Sequence, residues 1–169
     1  MSAPFTIVLP SKATSVKLGS GLLALCTVLL LTGYTPDFLT HFQTSIGYKQ
    51  VTGYLLLILM SFLIALLAIK RRLKTTQAMV QLLGYHQVAG LIMLGVLALH
   101  AGFSLQGYLG LLSWLIAAMA LIGVLLIKPI KALQRPREKS IAVSVHIALA
   151  FIAYATALVH IYFVWAYSN

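Results

Sequence analysis

The chain has 169 residues, 61% of them hydrophobic and 8% charged, with a formal net charge of +10 at pH 7, and its mean hydropathy is +1.00. That composition excludes an ordinary water-soluble domain and indicates an all-α, polytopic membrane bundle. The positive charge gathers at Lys12/Lys17, at Lys70, Arg71, Arg72 and Lys74, and from Lys128 to Lys139, always beside apolar runs. It therefore reads as membrane topology and lipid contact, with no nucleic acid expected as a partner.

A helix needs about 20 apolar residues to cross the hydrocarbon core. Five stretches qualify, at roughly 18–34, 51–69, 78–103, 109–127 and 141–166, and predict five transmembrane helices with short connections. The first follows a basic stretch, as a signal peptide would, but has no convincing small-residue cleavage site, so it reads as a retained helix. It contains Cys26, the only cysteine, which leaves no intrachain disulfide and no thiolate metal cluster; within LLALCTVLL it reads as apolar packing. The connection at 35–50 holds Asp37, His41 and Lys49 and reads as a polar loop. The third stretch opens on polar TTQAMVQ, and Gln77, Gln81 and Gln87 near that end read as a polar interface or contacts for a quinone carbonyl. Pro129 and Pro136 lie in the predicted loop before the fifth stretch, where no helix need continue, and Glu138 is placed in the same loop.

Eleven of the twelve Lys and Arg lie in the N-terminus, the 70–77 connection and the 128–140 connection. An excess of cations marks the cytoplasmic side, so the N-terminus is expected in the cytoplasm and the C-terminus outside. Tyr34, Tyr48, Tyr54, Tyr108, Tyr162, Trp165 and Tyr167 then form an outer aromatic belt. With connections this short, residues 1–169 read as a single transmembrane domain with no soluble domain. No glycine-rich nucleotide fingerprint is present. Any flavin or nicotinamide domain is expected on a separate chain.

Four of the five histidines fall inside these apolar stretches, as His86/His100 and His146/His160, each pair fourteen residues apart. Ionisable side chains are rare in membrane helices and mark function there. Fourteen residues is close to four turns, so both members of a pair share a face, about 21 Å apart along the axis. The third and fifth predicted helices run in the same direction. His86 is therefore expected at the depth of His146, and His100 at the depth of His160. Two opposed imidazoles at each of two depths suit two haems, each held through both axial positions of its iron. One turn from the ligands lie Ala89, Gly90, Ala150, Thr156 and Ala157, with Met93 and Ala153 midway between the levels; Val96 and Leu97 crowd His100, and Gly95 and Gly102 relieve it. Arg71, Arg72, Lys74 and Lys139 are within plausible reach of inner propionates, and Lys49, Tyr108 and His41 of outer ones. Zinc needs three or four ligands around one point, which one helix with this spacing does not supply. A chlorophyll magnesium, which takes one axial imidazole, and a purely hydrogen-bonding role stay open as alternatives. Asp37 and Glu138 are the only acids, so no buried carboxylate relay is expected.

LGYHQVAGLIMLGVLALH and HIALAFIAYATALVH resemble the haem-binding helices of the ferric reductase-like transmembrane superfamily, which includes NADPH oxidases, iron reductases and the membrane subunit of a bacterial periplasmic methionine sulfoxide reductase. The resemblance implies a dihaem b-type cytochrome with His86 and His146 on the inner haem iron and His100 and His160 on the outer. Gly90, Ala150, Ala157, Arg72 and Lys139 would line or hold the two haem b groups. The family's fifth-helix spacing is commonly one residue shorter, and its sixth helix and fused flavin domain have no counterpart here. Cytochrome b of quinol–cytochrome c complexes also uses fourteen-residue steps, but its Pro-Glu-Trp-Tyr segment is absent. By the resemblance, electrons pass from a cytoplasmic flavoprotein or membrane quinol to ferric chelates, oxygen species or an extracytoplasmic redox protein. The expected location is a bacterial inner membrane. A quinone-linked superoxide or quinol oxidoreductase, a haem-bearing anchor subunit of a larger redox complex, and a haemless structural protein are the other readings.

Overall fold

In hydrocarbon, an apolar run has to close its own backbone hydrogen bonds, and these runs contain no interior proline to prevent it. A computed structural model describes residues 17–18, 20–25, 28, 32, 34–70, 72–73, 75–101, 107–127, 133 and 135–167. Its elements are α1 (Asp37–Gln43), α2 (Ile46–Lys70), α3 (Thr76–Ala101), α4 (Gly107–Ile127) and α5 (Pro136–Tyr167). No strand occurs among the described residues. Among the described residues four helices are long and apolar enough to cross a membrane: α2, α3, α4 from Gly110 onward, and α5. The chain is therefore an all-helical, polytopic membrane protein. Within the first predicted span, 18–34, the described residues up to 32 are helical. Lys12, Cys26, Arg71, Lys74, Gly102, Lys128, Pro129 and the side chain of Tyr108 lie outside the described residues.

Several boundaries differ from the sequence expectation. Residues 35–50, expected to be a loop, contain α1 and the start of α2, so His41 and Lys49 are helical. Asp37 occupies the first turn of α1, where a carboxylate meets the positive end of the helix dipole. Pro136 opens α5 instead of lying in the preceding loop. A proline costs little there, because its missing N–H has no partner in a first turn. Glu138 likewise sits in that first turn, 4.0 Å from Arg135.

The four long helices close into a ring. α2 packs along α3 and α4 along α5, and the two hairpins are joined through α3 with α4 and α2 with α5. The helices on each diagonal, α3 with α5 and α2 with α4, scarcely bring their backbones within 8 Å of one another. Between them sits an apolar centre of Leu56 and Met60, Met93 and Val96, Ile116 and Met119, and Ala153 and Ala157. Met93, Ile116 and Ala153 are 2%, 1% and 0% exposed. Met93 and Ala153 thus lie midway between the histidines of their helices and fill the middle of the ring.

Polar ties also cross this packing. The Tyr154 hydroxyl lies 3.1 Å from Ser61 Oγ, and Ser61 donates to the Leu57 carbonyl at 2.8 Å. Tyr154 is therefore the donor between them, tying α5 to α2. At the far end of α3, Gln43 Nε2 and the Tyr48 hydroxyl both donate to the Leu99 carbonyl, at 3.0 and 3.2 Å. That carbonyl belongs to the last turn, where the helix itself offers no partner. Leu39 of α1 is buried against Tyr48 and Ala98, so α1 covers the end of α3 that carries His100.

Ala153 has no exposed surface, so Ala153→Leu overfills the centre at a cost of about 1–3 kcal/mol. The expected result is a lower thermal unfolding midpoint in detergent; a wild-type midpoint contradicts this packing.

Candidate functional site

The diagonal helices α3 and α5 carry the histidines. The ring centres of His86 and His146 are 6.0 Å apart with planes inclined at 70°. Those of His100 and His160 are 6.4 Å apart and inclined at 76°. All four side chains are half-buried. The pairs stand at two levels about four helical turns, or 21 Å, apart. The expected pairing by depth is the pairing the fold makes.

Neighbouring helices fix two of the rings. His146 Nδ1 is 2.9 Å from the carbonyl oxygen of Met119 on α4. A carbonyl only accepts, so Nδ1 carries the hydrogen and Nε2 is left with its lone pair. His100 Nδ1 is 2.9 Å from Thr52 Oγ1 on α2. The Thr52 hydroxyl gives its own hydrogen to the Tyr48 carbonyl at 2.8 Å, so it too accepts from Nδ1. With Nδ1 donating in this way, both rings carry the same tautomer and keep a lone pair on Nε2.

Each of these rings sits in a notch made by a glycine. A Cβ on Gly53 would stand 3.0 Å from His100 Cε1, and one on Gly123 would stand 3.3 Å from His146 Cε1. At Gly90 an added Cβ meets nothing within 4 Å. Ala89 and Ala157 are buried, and Ala150 is half-buried, so the faces one turn from the ligands stay short.

A metal–imidazole bond is about 2.0–2.1 Å and the ring centre lies about 1.1 Å behind the bonding nitrogen, which puts two imidazoles on opposite sides of one metal about 6.3 Å apart, centre to centre. Both pairs match that separation. Among the described residues no three His, Cys, Asp or Glu gather at one point. Each level supplies two imidazoles, the axial complement of a haem iron, whose other positions the porphyrin fills. The wide α3–α5 diagonal and the short side chains fit the same group.

The cations are arranged less as the sequence implied. Arg72 and Lys139 are exposed. Arg72 borders an open groove of about 390 Å³ between α2 and α5, with Ile64, Leu67, Ala68 and Phe151. Lys70 is within electrostatic reach of His86, and Lys49 of His100. Lys49 was anticipated; Lys70 was not assigned to this level. His41 is exposed beside Phe42, ring centres 6.0 Å apart.

Thr52, Gly53, the Met119 carbonyl and Gly123 are the site residues that sequence reasoning missed. Two isolated glycines inside apolar runs, at VTGYLL and ALIGVLL, were the available signal, since such glycines mark close approach of another group. No family model matches the chain, and no curated protein and no solved structure matches it either.

Gly53→Ala pushes a methyl into the His100 ring, whereas the same change at Gly95 meets open space. Alanine otherwise favours a helix over glycine by roughly 0.5–1 kcal/mol. Gly95→Ala is expected to hold or raise the unfolding midpoint and Gly53→Ala to lower it; the reverse order contradicts the notch.

Proposed function

We propose that the chain is a dihaem b-type membrane cytochrome of the ferric reductase-like kind, carrying electrons across a bacterial inner membrane. The observation that carries this reading is the pair of opposed imidazole couples, at metal-spanning distance and at two depths of one bundle. A haem gripped by two imidazoles keeps no open iron position, so it exchanges single electrons through its ring edge, and two stacked across a bilayer form a conducting path.

In this reading five spans cross the membrane, the first at 18–34, with the N-terminus cytoplasmic. His86 and His146 bind the inner iron, and His100 and His160 the outer. Gly90, Ala150 and Ala157 leave the ligand faces short enough for flat macrocycles. Arg72, Lys139 and Lys70 supply positive charge for inner propionates and Lys49 for outer ones. Met93 and Ala153 fill the space between the levels and exclude water from it. The donor is a separate cytoplasmic flavoprotein or a membrane quinol, and the acceptor lies on the opposite side.

The groove bordered by Arg72 favours the quinol as donor. It lies along the α2–α5 seam, is lined by Ile64, Leu67, Ala68 and Phe151, and has one guanidinium at its rim. Under this variant a quinol analogue added to the pure protein reduces the bound haem without any second protein.

His100→Ala or His160→Ala is expected to halve haem content while leaving the spectrum of the inner centre. His86→Ala or His146→Ala should do the converse. Haem content unchanged in all four variants defeats the assignment.

A further inference from the structure

The tautomer locks go beyond ligation. We propose that Thr52 and the Met119 carbonyl are positioning groups, each setting how strongly one axial imidazole donates to its iron and hence the reduction potential of one level; this inference rests on the dihaem reading.

A histidine that ligates through Nε2 and donates Nδ1–H to an acceptor is held at one orientation and made more basic by that bond. A more basic imidazole favours the more highly charged, oxidised iron and lowers the potential. His100 has this arrangement through Thr52 Oγ1 at 2.9 Å, and His146 has it through the Met119 carbonyl at 2.9 Å. The acceptors come from α2 and α4, the two long helices that carry none of the four paired histidines. Each of these helices also supplies the glycine that admits the ring, Gly53 beside Thr52 and Gly123 one turn after Met119. The same device thus occurs twice, at opposite ends of the ring: a notch, an acceptor on the same wall, and an imidazole reaching in from the hairpin partner.

The two copies differ in chemistry. Met119 offers a peptide oxygen, which no side-chain change removes. Thr52 offers a hydroxyl held as an acceptor because its hydrogen goes to the Tyr48 carbonyl. Thr52 is therefore a position where the outer level's poise depends on a replaceable side chain. Valine has the shape of threonine without the acceptor.

The experiment is a spectroelectrochemical titration of the purified, haem-loaded protein with Thr52→Val, Thr52→Ser and Gly123→Ala. Thr52→Val is expected to raise the outer potential alone, by a threefold to tenfold change in the one-electron equilibrium, up to about 59 mV. Thr52→Ser keeps the hydroxyl and should titrate as the parent. Gly123→Ala, which pushes the His146 ring off its carbonyl, should move only the inner potential. Selective loss of the outer haem in Thr52→Val but not in Thr52→Ser also supports the positioning role. An outer potential that stays or falls in Thr52→Val with two haems bound overturns the proposal, as does a Thr52→Ser protein that behaves like Thr52→Val. A parent protein without haem instead overturns the dihaem reading on which the proposal stands.

Discussion

An imidazole placed among apolar helices must satisfy two nitrogens where water does not reach, and the ring of α2 to α5 is organised around that demand. At His100 and His146 one nitrogen is satisfied by a neighbouring helix, through Thr52 or the Met119 carbonyl. That leaves Nε2, and across each gap stands a second imidazole. The ring centres stand 6.0 and 6.4 Å apart, and under the proposed reading a metal bound between each pair would take the nitrogens that face it.

The helix order serves the same end. Close packing runs round the perimeter of the ring and leaves both diagonals open. If α3 packed directly on α5, its histidines would have no room for an inserted group. Met93, Ile116 and Ala153 close the middle of the bundle between the two histidine levels. Tyr154 with Ser61, and Gln43 and Tyr48 on the Leu99 carbonyl, then hold the frame where hydrophobic attraction between membrane helices is weak.

Much of this was legible in the sequence, because membrane helices advertise themselves by length and apolarity and an intramembrane histidine stands out against them. The pairing of His86 with His146 and of His100 with His160 followed from equal spacing and parallel direction alone. The short faces at Gly90, Ala150 and Ala157, and the plug at Met93 and Ala153, followed from the helical repeat. Helix α1 was missed because seven residues beside a polar stretch carry no periodic signal, and Pro136 because a proline reads equally as a breaker and as a first-turn residue. The clamps were missed for a deeper reason. A backbone carbonyl such as that of Met119 leaves no mark in a sequence, and Thr52 and Gly53 matter only once α2 is known to back His100.

The central claim is that each chain holds two b-type haems between these imidazoles. Its most direct test is the ratio of haem to protein, with the Soret spectrum, for the chain purified from haem-replete cells. The account predicts two haems per chain and a low-spin spectrum typical of two axial imidazoles. A colourless, haem-free preparation would contradict it.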